Sequence, residues 1–184
     1  MLPVYKYIQQ NGLILLIHVN GTKYLDEFER VLQAYPKMKV ICPHFCLLSG
    51  KLEKLADLMD KYPNLYTDTS FGYIKYTISG FEKMAEDKEK FQNFIEKYKE
   101  RVFMGDDQVV TDVKIKKHQD FIENVLAAYI DILKGKEAKL NIKWPIKNDE
   151  VFDGLDLSGN ISNAVLTTSP KKLLDSVPAY SISK

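Results

Sequence analysis

Histidine and aspartate residues stand at the ends of four apolar segments of this sequence. His18 lies in the segment LILLIHV, His44 ends MKVICPH, Asp68 lies in NLYTDT, and Asp106 and Asp107 follow RVFMG. Imidazole and carboxylate groups are ligands for divalent metals and also act as general acids and bases. A buried apolar strand that ends in such a residue must provide a polar partner for it. We therefore expect these side chains to share one site.

Not all of these residues need to enter that site. Asp68 is equally consistent with a site residue and with a cap on the turn predicted by the Thr, Ser and Gly that follow it. Only one of Asp106 and Asp107 should point toward the site, because adjacent strand residues face opposite sides. The third histidine, His118, lies in the charged stretch KIKKHQD, and we expect it in a solvated helix or loop.

The two cysteines of the chain flank His44. In an extended strand Cys42, His44 and Cys46 would share one face, which leaves a Cys-x-His-x-Cys metal site as one interpretation. Pro43 and the lack of a second ligand pair argue against a closed structural zinc site. The other interpretation is two small, buried core residues. Two cysteines are too few for the disulfide framework of a secreted scaffold.

Helical patterns separate the four apolar segments, which begin near residues 13, 38, 64 and 101. The first two segments are almost continuously apolar, as in strands buried on both faces of a parallel sheet. Apolar residues at helical spacing predict helices over 25–35, 52–62, 91–98 and 121–133. This alternation predicts an α/β fold of successive βα units with right-handed crossovers. In such a fold the carboxyl ends of the strands, and thus the polar residues above, meet at one edge.

The other segments are less regular. Residues 2–10 predict a short helix, and residues 70–90 predict a loop large enough to shape a pocket. In that loop Tyr73, Tyr76 and Phe81 have two open roles, contact with a ligand ring and packing.

We expect a single domain over residues 1–184, with βα units in 1–134 and a polar excursion, closing helix and tail in 135–184. Residues 134–153 are polar and predict an irregular excursion. The closing helix is predicted at 158–163 or 170–175, and residues 178–184 are expected to form a loose tail.

The composition excludes several classes of protein. The chain has 184 residues, of which 45% are hydrophobic and 28% charged, so it is not a disordered chain. The formal net charge of +1 gives no support for binding nucleic acids or anionic membranes. The longest apolar run, Leu13–Val19, is far shorter than the roughly 20 residues that span a bilayer. The first residues do not predict a signal peptide, so we expect a cytoplasmic protein.

Sequence motifs for three common kinds of chemistry are absent. The chain contains no Gly-x-Gly-x-x-Gly and no Gly-Lys-Ser/Thr phosphate loop, so nucleotide binding has no support. It also contains no Gly-x-Ser-x-Gly elbow for serine hydrolysis and no His-Glu-x-x-His zinc helix.

Five motifs in order resemble the C-terminal half of the metal-dependent amidohydrolase superfamily. The chain is most similar to the amidohydrolase-related branch, which contains hydrolases and nonoxidative decarboxylases. The motifs are Leu-Pro-Val-Tyr-Lys-Tyr-Ile…Asn-Gly-Leu (2–13), Ile-His-Val-Asn (17–20), Tyr-Pro…Lys-Val-Ile-Cys-Pro-His (35–44), Tyr-Pro-Asn-Leu-Tyr-Thr-Asp-Thr-Ser (62–70) and Arg-Val-Phe-Met-Gly-Asp-Asp (101–107). The resemblance implies a distorted TIM-like (β/α)8 barrel, of which this chain would form strands five to eight.

The resemblance also implies roles for three residues. His18 corresponds to a metal ligand, and His44 to a histidine that ligates a second metal or contacts the bound water or substrate. Asp107 corresponds to an aspartate that contacts the metal and activates water as general base. Asp106 stands where the family has serine. The implied cofactor is a divalent metal such as zinc. The implied reaction is hydrolysis of a carbonyl or amide-type bond of a small molecule, or nonoxidative decarboxylation.

The chain departs from the family in its first half. The His-x-His metal ligands of the family's first strand are absent, and a typical barrel needs about 250 residues. We therefore expect half of a barrel, either as a fragment of a longer enzyme or paired with another chain, as a homo-oligomer or with the missing N-terminal half. An open half-barrel has unpaired strand edges and an exposed interior.

Two alternatives to the metal-dependent enzyme stay open. In the first, the chain is a non-catalytic half-barrel that acts as an oligomerising or binding module. In the second, it is an unrelated α/β enzyme that uses two histidines and an aspartate without a metal.

Overall fold

Four parallel strands form the sheet around which the chain is organised. The computed structural model describes residues 2–109 and 115–178. The strands follow one another in space in the order of the sequence: β1 (Ile14–Leu16), β2 (Lys39–Cys42), β3 (Leu65–Asp68) and β4 (Val102–Phe103). All three strand pairs are parallel, so the predicted α/β class with a parallel sheet is confirmed. Each strand is shorter than the apolar segment that predicted it.

Helices precede, connect and follow these strands. They are α1 (Leu2–Gln10), α2 (Leu25–Ala34), α3 (Leu52–Lys61), α4 (Ile74–Glu86), α5 (Lys88–Lys97) and α6 (Lys116–Lys134). The helices predicted over 2–10, 25–35, 52–62, 91–98 and 121–133 are confirmed. Pro36 and Pro63 follow the ends of α2 and α3, where a proline cannot continue a helix.

The predicted loop over residues 70–90 is wrong, because most of it is helix α4. Ile74, Thr77, Phe81 and Met84 recur at helical spacing and are almost completely buried. The polar and small residues between them obscured this pattern in the sequence. Close packing explains the glycine at position 80, because a Cβ atom there would lie 2.4 Å from the ring of Phe71.

Burial alternates along the central strands of the sheet. Val40 and Cys42 in β2 are fully buried, as are Leu65 and Thr67 in β3, while the residues between them are partly exposed. Alternate strand residues point to opposite faces, so one face of β2 and β3 is covered less completely than the other, and we call it the uncovered face. In β4 both Val102 and Phe103 are buried. The expectation that the first two strands are buried on both faces is wrong, since no residue of β1 is buried and Lys39 and Ile41 of β2 are partly exposed.

The uncovered face of the sheet carries apolar side chains. Leu16 at the end of β1 is 65% exposed, and Ile41 and Tyr66 are partly exposed. The register places Leu16 beside Ile41 and Ile41 beside Tyr66, so the three form one row across this face. Tyr66 stacks on Phe103 with a centroid distance of 5.5 Å.

A core of aromatic side chains fills the space between the covered face and the helices. Phe45 is fully buried, and its ring centroid lies 5.5 Å from that of Phe91 and 6.1 Å from those of Phe71 and Phe94. Phe81 is also fully buried and contacts Tyr129 edge to face at 4.9 Å. The sequence left two roles open for Phe81, contact with a ligand ring and packing, and the structure shows packing.

The predicted polar excursion over residues 134–153 is wrong, because this segment forms an antiparallel hairpin. Its strands are β5 (Glu137–Ile142) and β6 (Asn148–Asp153). Ala138, Leu140 and Ile142 are buried on one face, and polar residues alternate with them. The polar residues Glu137, Lys139 and Asn141 lowered the average hydrophobicity of the segment and hid the two-residue period of its apolar residues.

The closing helix occupies both predicted positions. Helix α7 (Gly159–Asn163) continues through a π-helical turn (Ala164–Thr168) into α8 (Ser169–Asp175). The Met104 N–H donates to the carbonyl of Val165 at 3.1 Å, which joins the π-helical turn to the end of β4. Residues 179–184 of the predicted tail lie outside the described residues. No helix in the described ranges has the length and apolar character needed to cross a bilayer.

We predict that Gly80→Ala destabilises the protein although alanine is the better helix former. The gain in helix propensity is about 1 kcal/mol, but the added methyl group overlaps the Phe71 ring. We expect a net loss of about 1–3 kcal/mol in the free energy of unfolding, measured by urea denaturation. The matched control is Gly159→Ala in α7, where a Cβ atom meets nothing within 4 Å. Equal stability of the two variants would contradict this packing argument.

Candidate active site

A cavity of about 720 Å³ opens at the carboxyl edge of the parallel sheet. Its lining includes His18, His44 and Asp107, together with Tyr73 and Tyr76. The two tyrosines are 56% and 68% exposed, so they are available to a ligand. The predicted convergence of strand-end polar groups is therefore observed for three of the candidate residues.

His44 begins a left-handed turn after β2. The φ angles of His44, Phe45, Cys46 and Leu47 are 60°, 49°, 53° and 53°. A left-handed residue with a side chain costs about 1–2 kcal/mol. Burial of Phe45 in the aromatic core offsets this cost, as does the hydrogen bond that the Gly21 N–H donates to the Cys46 carbonyl at 2.9 Å.

The structure joins Cys42 and Cys46 in a disulfide. Their Cα atoms are 5.2 Å apart and both residues are fully buried, so the predicted core location is confirmed. The bonded sulfurs provide no thiolate, and the left-handed turn removes the shared strand face. The Cys-x-His-x-Cys metal site is therefore wrong.

The imidazole of His44 lies between Ser70 and Asp107. Its Nδ1 is 2.8 Å from the Ser70 hydroxyl and 3.2 Å from the Ser70 carbonyl oxygen. Its Nε2 is 3.7 Å from Oδ2 of Asp107, too far for a direct hydrogen bond. The ring of His18 meets the His44 ring edge to face at 5.1 Å. One imidazole nitrogen is thus anchored while the other faces the cavity.

Asp68 acts as a cap rather than as a cavity residue. Its Oδ1 accepts hydrogen bonds from the backbone N–H of His44 at 2.9 Å and of Ser70 at 3.0 Å, and from the Ser70 hydroxyl. The bond to the His44 N–H joins the end of β3 to the turn that follows β2. Of the two roles that the sequence left open, the structure favours the cap. The hydrogen bond that the Ser70 N–H donates to the Asp68 side chain forms an Asx turn.

Asp107, not Asp106, lines the cavity. Asp107 has a φ of 50°, which turns its side chain toward His44, and the side chain is 55% exposed. Asp106 instead accepts a hydrogen bond from the backbone N–H of Gln108 at 3.3 Å. Gln108 donates its side-chain amide to the Gly72 carbonyl at 3.0 Å. This bond fixes the Asp107 segment against the loop after β3.

Sequence reasoning missed the role of Tyr129. Its hydroxyl accepts a hydrogen bond from the Phe71 N–H at 2.9 Å and lies 3.3 Å from the hydroxyl of Thr77. Burial raises the pKa of Tyr129 well above its usual range, so the phenol stays neutral. Tyr129 thus holds the loop that forms one wall of the cavity. The sequence showed only that it belongs to the apolar face of α6.

His118 lies outside the cavity that His18 and His44 line. It is partly exposed on α6, as predicted for a helix or loop, and its ring stacks on Trp144 with a centroid distance of 4.7 Å.

The described residues do not by themselves fit a metal ion. Among them, no group of three or more His, Cys, Asp or Glu side chains is arranged to hold one. A metal ion binds nitrogen and oxygen ligands at about 2.0–2.2 Å, so one ion can bridge two ligand atoms up to about 4 Å apart. His44 Nε2 and Asp107 Oδ2 are 3.7 Å apart and would therefore supply at most two of the ligands that a metal ion needs.

Comparisons with known proteins leave the family of the chain open. No protein-family model matches it, and no curated protein matches it. Its structure is similar to the crystal structure of an uncharacterized TIM-barrel protein from Bordetella bronchiseptica, with a TM-score of 0.49 and 16% sequence identity. The match covers 96% of this chain and 50% of that protein, so this chain spans about half its length.

We predict that Gly72→Ala disturbs the site. Gly72 has a φ of +75°, and a Cβ atom there would lie 2.8 Å from Asp107 Oδ2. The backbone strain alone costs about 1–2 kcal/mol, and the carboxylate must also move. The matched control is Gly12→Ala, with a φ of +62° and only a 3.4 Å contact to Pro178. Urea denaturation should show a larger loss for Gly72→Ala, and equal losses would contradict the contact with Asp107.

Proposed function

We propose that the chain is one half of a (β/α)8 barrel enzyme that acts on a small molecule. The proposed reaction is metal-dependent hydrolysis of a carbonyl or amide-type bond, or the related nonoxidative decarboxylation. The observation that carries the proposal is the convergence of His18, His44 and Asp107 at the carboxyl ends of β1, β2 and β4. Parallel barrels place their catalytic residues at this edge.

The open face of the sheet supports the half-barrel. In a closed barrel, side chains from all the strands fill the interior in layers. Here the row of Leu16, Ile41 and Tyr66 lies on the uncovered face, where such an interior would be. Strand β1 is at one end of the strand order, so its outer edge is available to a further strand.

The proposed proton transfer centres on His44 and Asp107. The His44 Nε2 faces the cavity and is able to accept a proton from a bound water or substrate and return it later. The Asp107 carboxylate, 3.7 Å away, stabilises the imidazolium that forms. The aromatic rings of Tyr73 and Tyr76 also line the cavity and would contact a substrate held beside these groups.

We propose His18 and Asp107 as metal ligands. The remaining ligands must come from outside the described residues, since those residues form only a partial set. A bound divalent metal such as Zn²⁺ would supply a Lewis acid and would lower the pKa of its bound water to about 7.

The metal assignment predicts a loss of zinc affinity in His18→Ala. Loss of one ligand should weaken binding of Zn²⁺ at least tenfold in isothermal titration calorimetry, because fewer donors remain. The matched control is His118→Ala, which removes a histidine outside the cavity and should bind Zn²⁺ like the wild type. Equal affinities of the wild type and the two variants would contradict the assignment of His18 as a metal ligand.

A second candidate function is a non-catalytic half-barrel that acts as an oligomerising or binding module. Two observations favour it. No three-ligand group is present in residues 2–109 and 115–178, and Leu16 is 65% exposed on an uncovered sheet face. An exposed apolar row at an open strand edge promotes association.

This candidate predicts a concentration-dependent dimer that depends on Leu16. Leu16→Glu places a charge on the uncovered face and should weaken association at least tenfold in sedimentation velocity. Val151→Glu in β6 is the control, because Val151 is 58% exposed but lies on the separate hairpin. A monomer at all concentrations would contradict the oligomerising module.

A further inference from the structure

The surroundings of the His44 ring determine which of its nitrogens carries hydrogen. The Ser70 carbonyl oxygen lies 3.2 Å from Nδ1 and can only accept a hydrogen bond. Nδ1 must therefore be the donor in this contact. A lone pair on Nδ1 would face the carbonyl oxygen directly and be repelled by it.

The Ser70 hydroxyl also favours the form of His44 in which Nδ1 carries the hydrogen. Its own hydrogen is donated to Oδ1 of Asp68, which as a carboxylate can only accept. The hydroxyl oxygen therefore presents a lone pair to Nδ1 of His44 at 2.8 Å. Asp68 thus orients Ser70, and Ser70 orients the imidazole.

The backbone of His44 is held by the same carboxylate. Oδ1 of Asp68 accepts the His44 N–H at 2.9 Å, so both the main chain and the ring of this residue are tied to the end of β3. The side chain of His44 is only 13% exposed, which limits competition by water for these bonds. The ring is therefore fixed in position as well as in orientation.

We propose that Ser70, oriented by Asp68, is a positioning residue that holds neutral His44 in the Nδ1–H tautomer. Nε2 then carries the lone pair and faces Asp107 across the 3.7 Å gap. This inference rests on the proposed function, in which Nε2 is the atom that accepts a proton. The gap suits a bound group that brings a hydrogen or a positive charge to Nε2, because two acceptors facing one another repel.

The tautomer is measurable without metal, substrate or activity. Long-range ¹H–¹⁵N NMR spectra of the labelled, metal-free protein in alkaline solution distinguish a protonated ring nitrogen from an unprotonated one. His44→Gln assigns the signals. We expect an unprotonated Nε2 and a protonated Nδ1 in the wild type, whereas free histidine favours the opposite tautomer. A protonated Nε2 in the wild type would overturn the proposal.

Ser70 variants test the cause. Ser70→Ala removes the 2.8 Å bond and leaves only the longer bond to the carbonyl, so the tautomer ratio should shift roughly fivefold toward Nε2–H, which corresponds to about 1 kcal/mol for one hydrogen bond. Ser70→Thr keeps a hydroxyl and should preserve the wild-type ratio. An unchanged ratio in Ser70→Ala would overturn the role of Ser70.

A control separates this effect from general disturbance of the cavity. Ser49 lines the same cavity, and the structure shows no hydrogen bond between its side chain and His44 within the described part of the chain. Ser49→Ala should leave the tautomer ratio unchanged, and a shift as large as that of Ser70→Ala would contradict the proposal. A zinc affinity that does not depend on His18 would contradict the metal-dependent function without changing these spectra, so the two results are distinguishable.

Discussion

One oxygen atom of Asp68 connects the parts of the site to the sheet. It accepts hydrogens from the His44 backbone, the Ser70 backbone and the Ser70 hydroxyl, and thus joins two neighbouring strand ends. Hydrogen bonds to a charged group each contribute about 1.5–3 kcal/mol. They help to stabilise a left-handed turn that no regular element supports. The position of the His44 ring therefore depends on a residue that does not itself line the cavity.

The order of strands and helices could be predicted because each element has its own local pattern of apolar residues. Apolar runs gave the strands, and helical spacing with terminal prolines gave α2 and α3. The patterns failed where polar residues interrupted the period, as in α4 and in the hairpin of β5 and β6. They also failed to show the uncovered face, since an apolar run looks the same whether its outer face is packed or open.

The sequence predicted which residues meet at the site, but not which of them line the cavity and which hold other residues in place. His18, His44 and Asp107 end neighbouring strands, which is a sequence property. The choice of Asp107 over Asp106 depends on a positive φ angle, and the role of Tyr129 depends on a hydrogen bond to a residue 58 positions away. Neither signal exists in local sequence. The disulfide was equally hidden, because a left-handed turn, not a strand, brings Cys46 back to Cys42.

Two features of the chain are physically incomplete, and they lie on the same sheet. The uncovered face carries Leu16 in contact with solvent, and the described residues of the cavity include no group of three or more side chains that could hold the proposed metal. Further parallel strands beside β1 would cover the apolar row and would also bring their own carboxyl-end residues to the cavity. One addition would thus remove both deficits, which is the physical reason to favour the half-barrel enzyme over an isolated binding module. In the proposed half-barrel, the added half would supply ligands and substrate contacts, whereas Asp68 and Ser70 of this chain already orient the His44 ring.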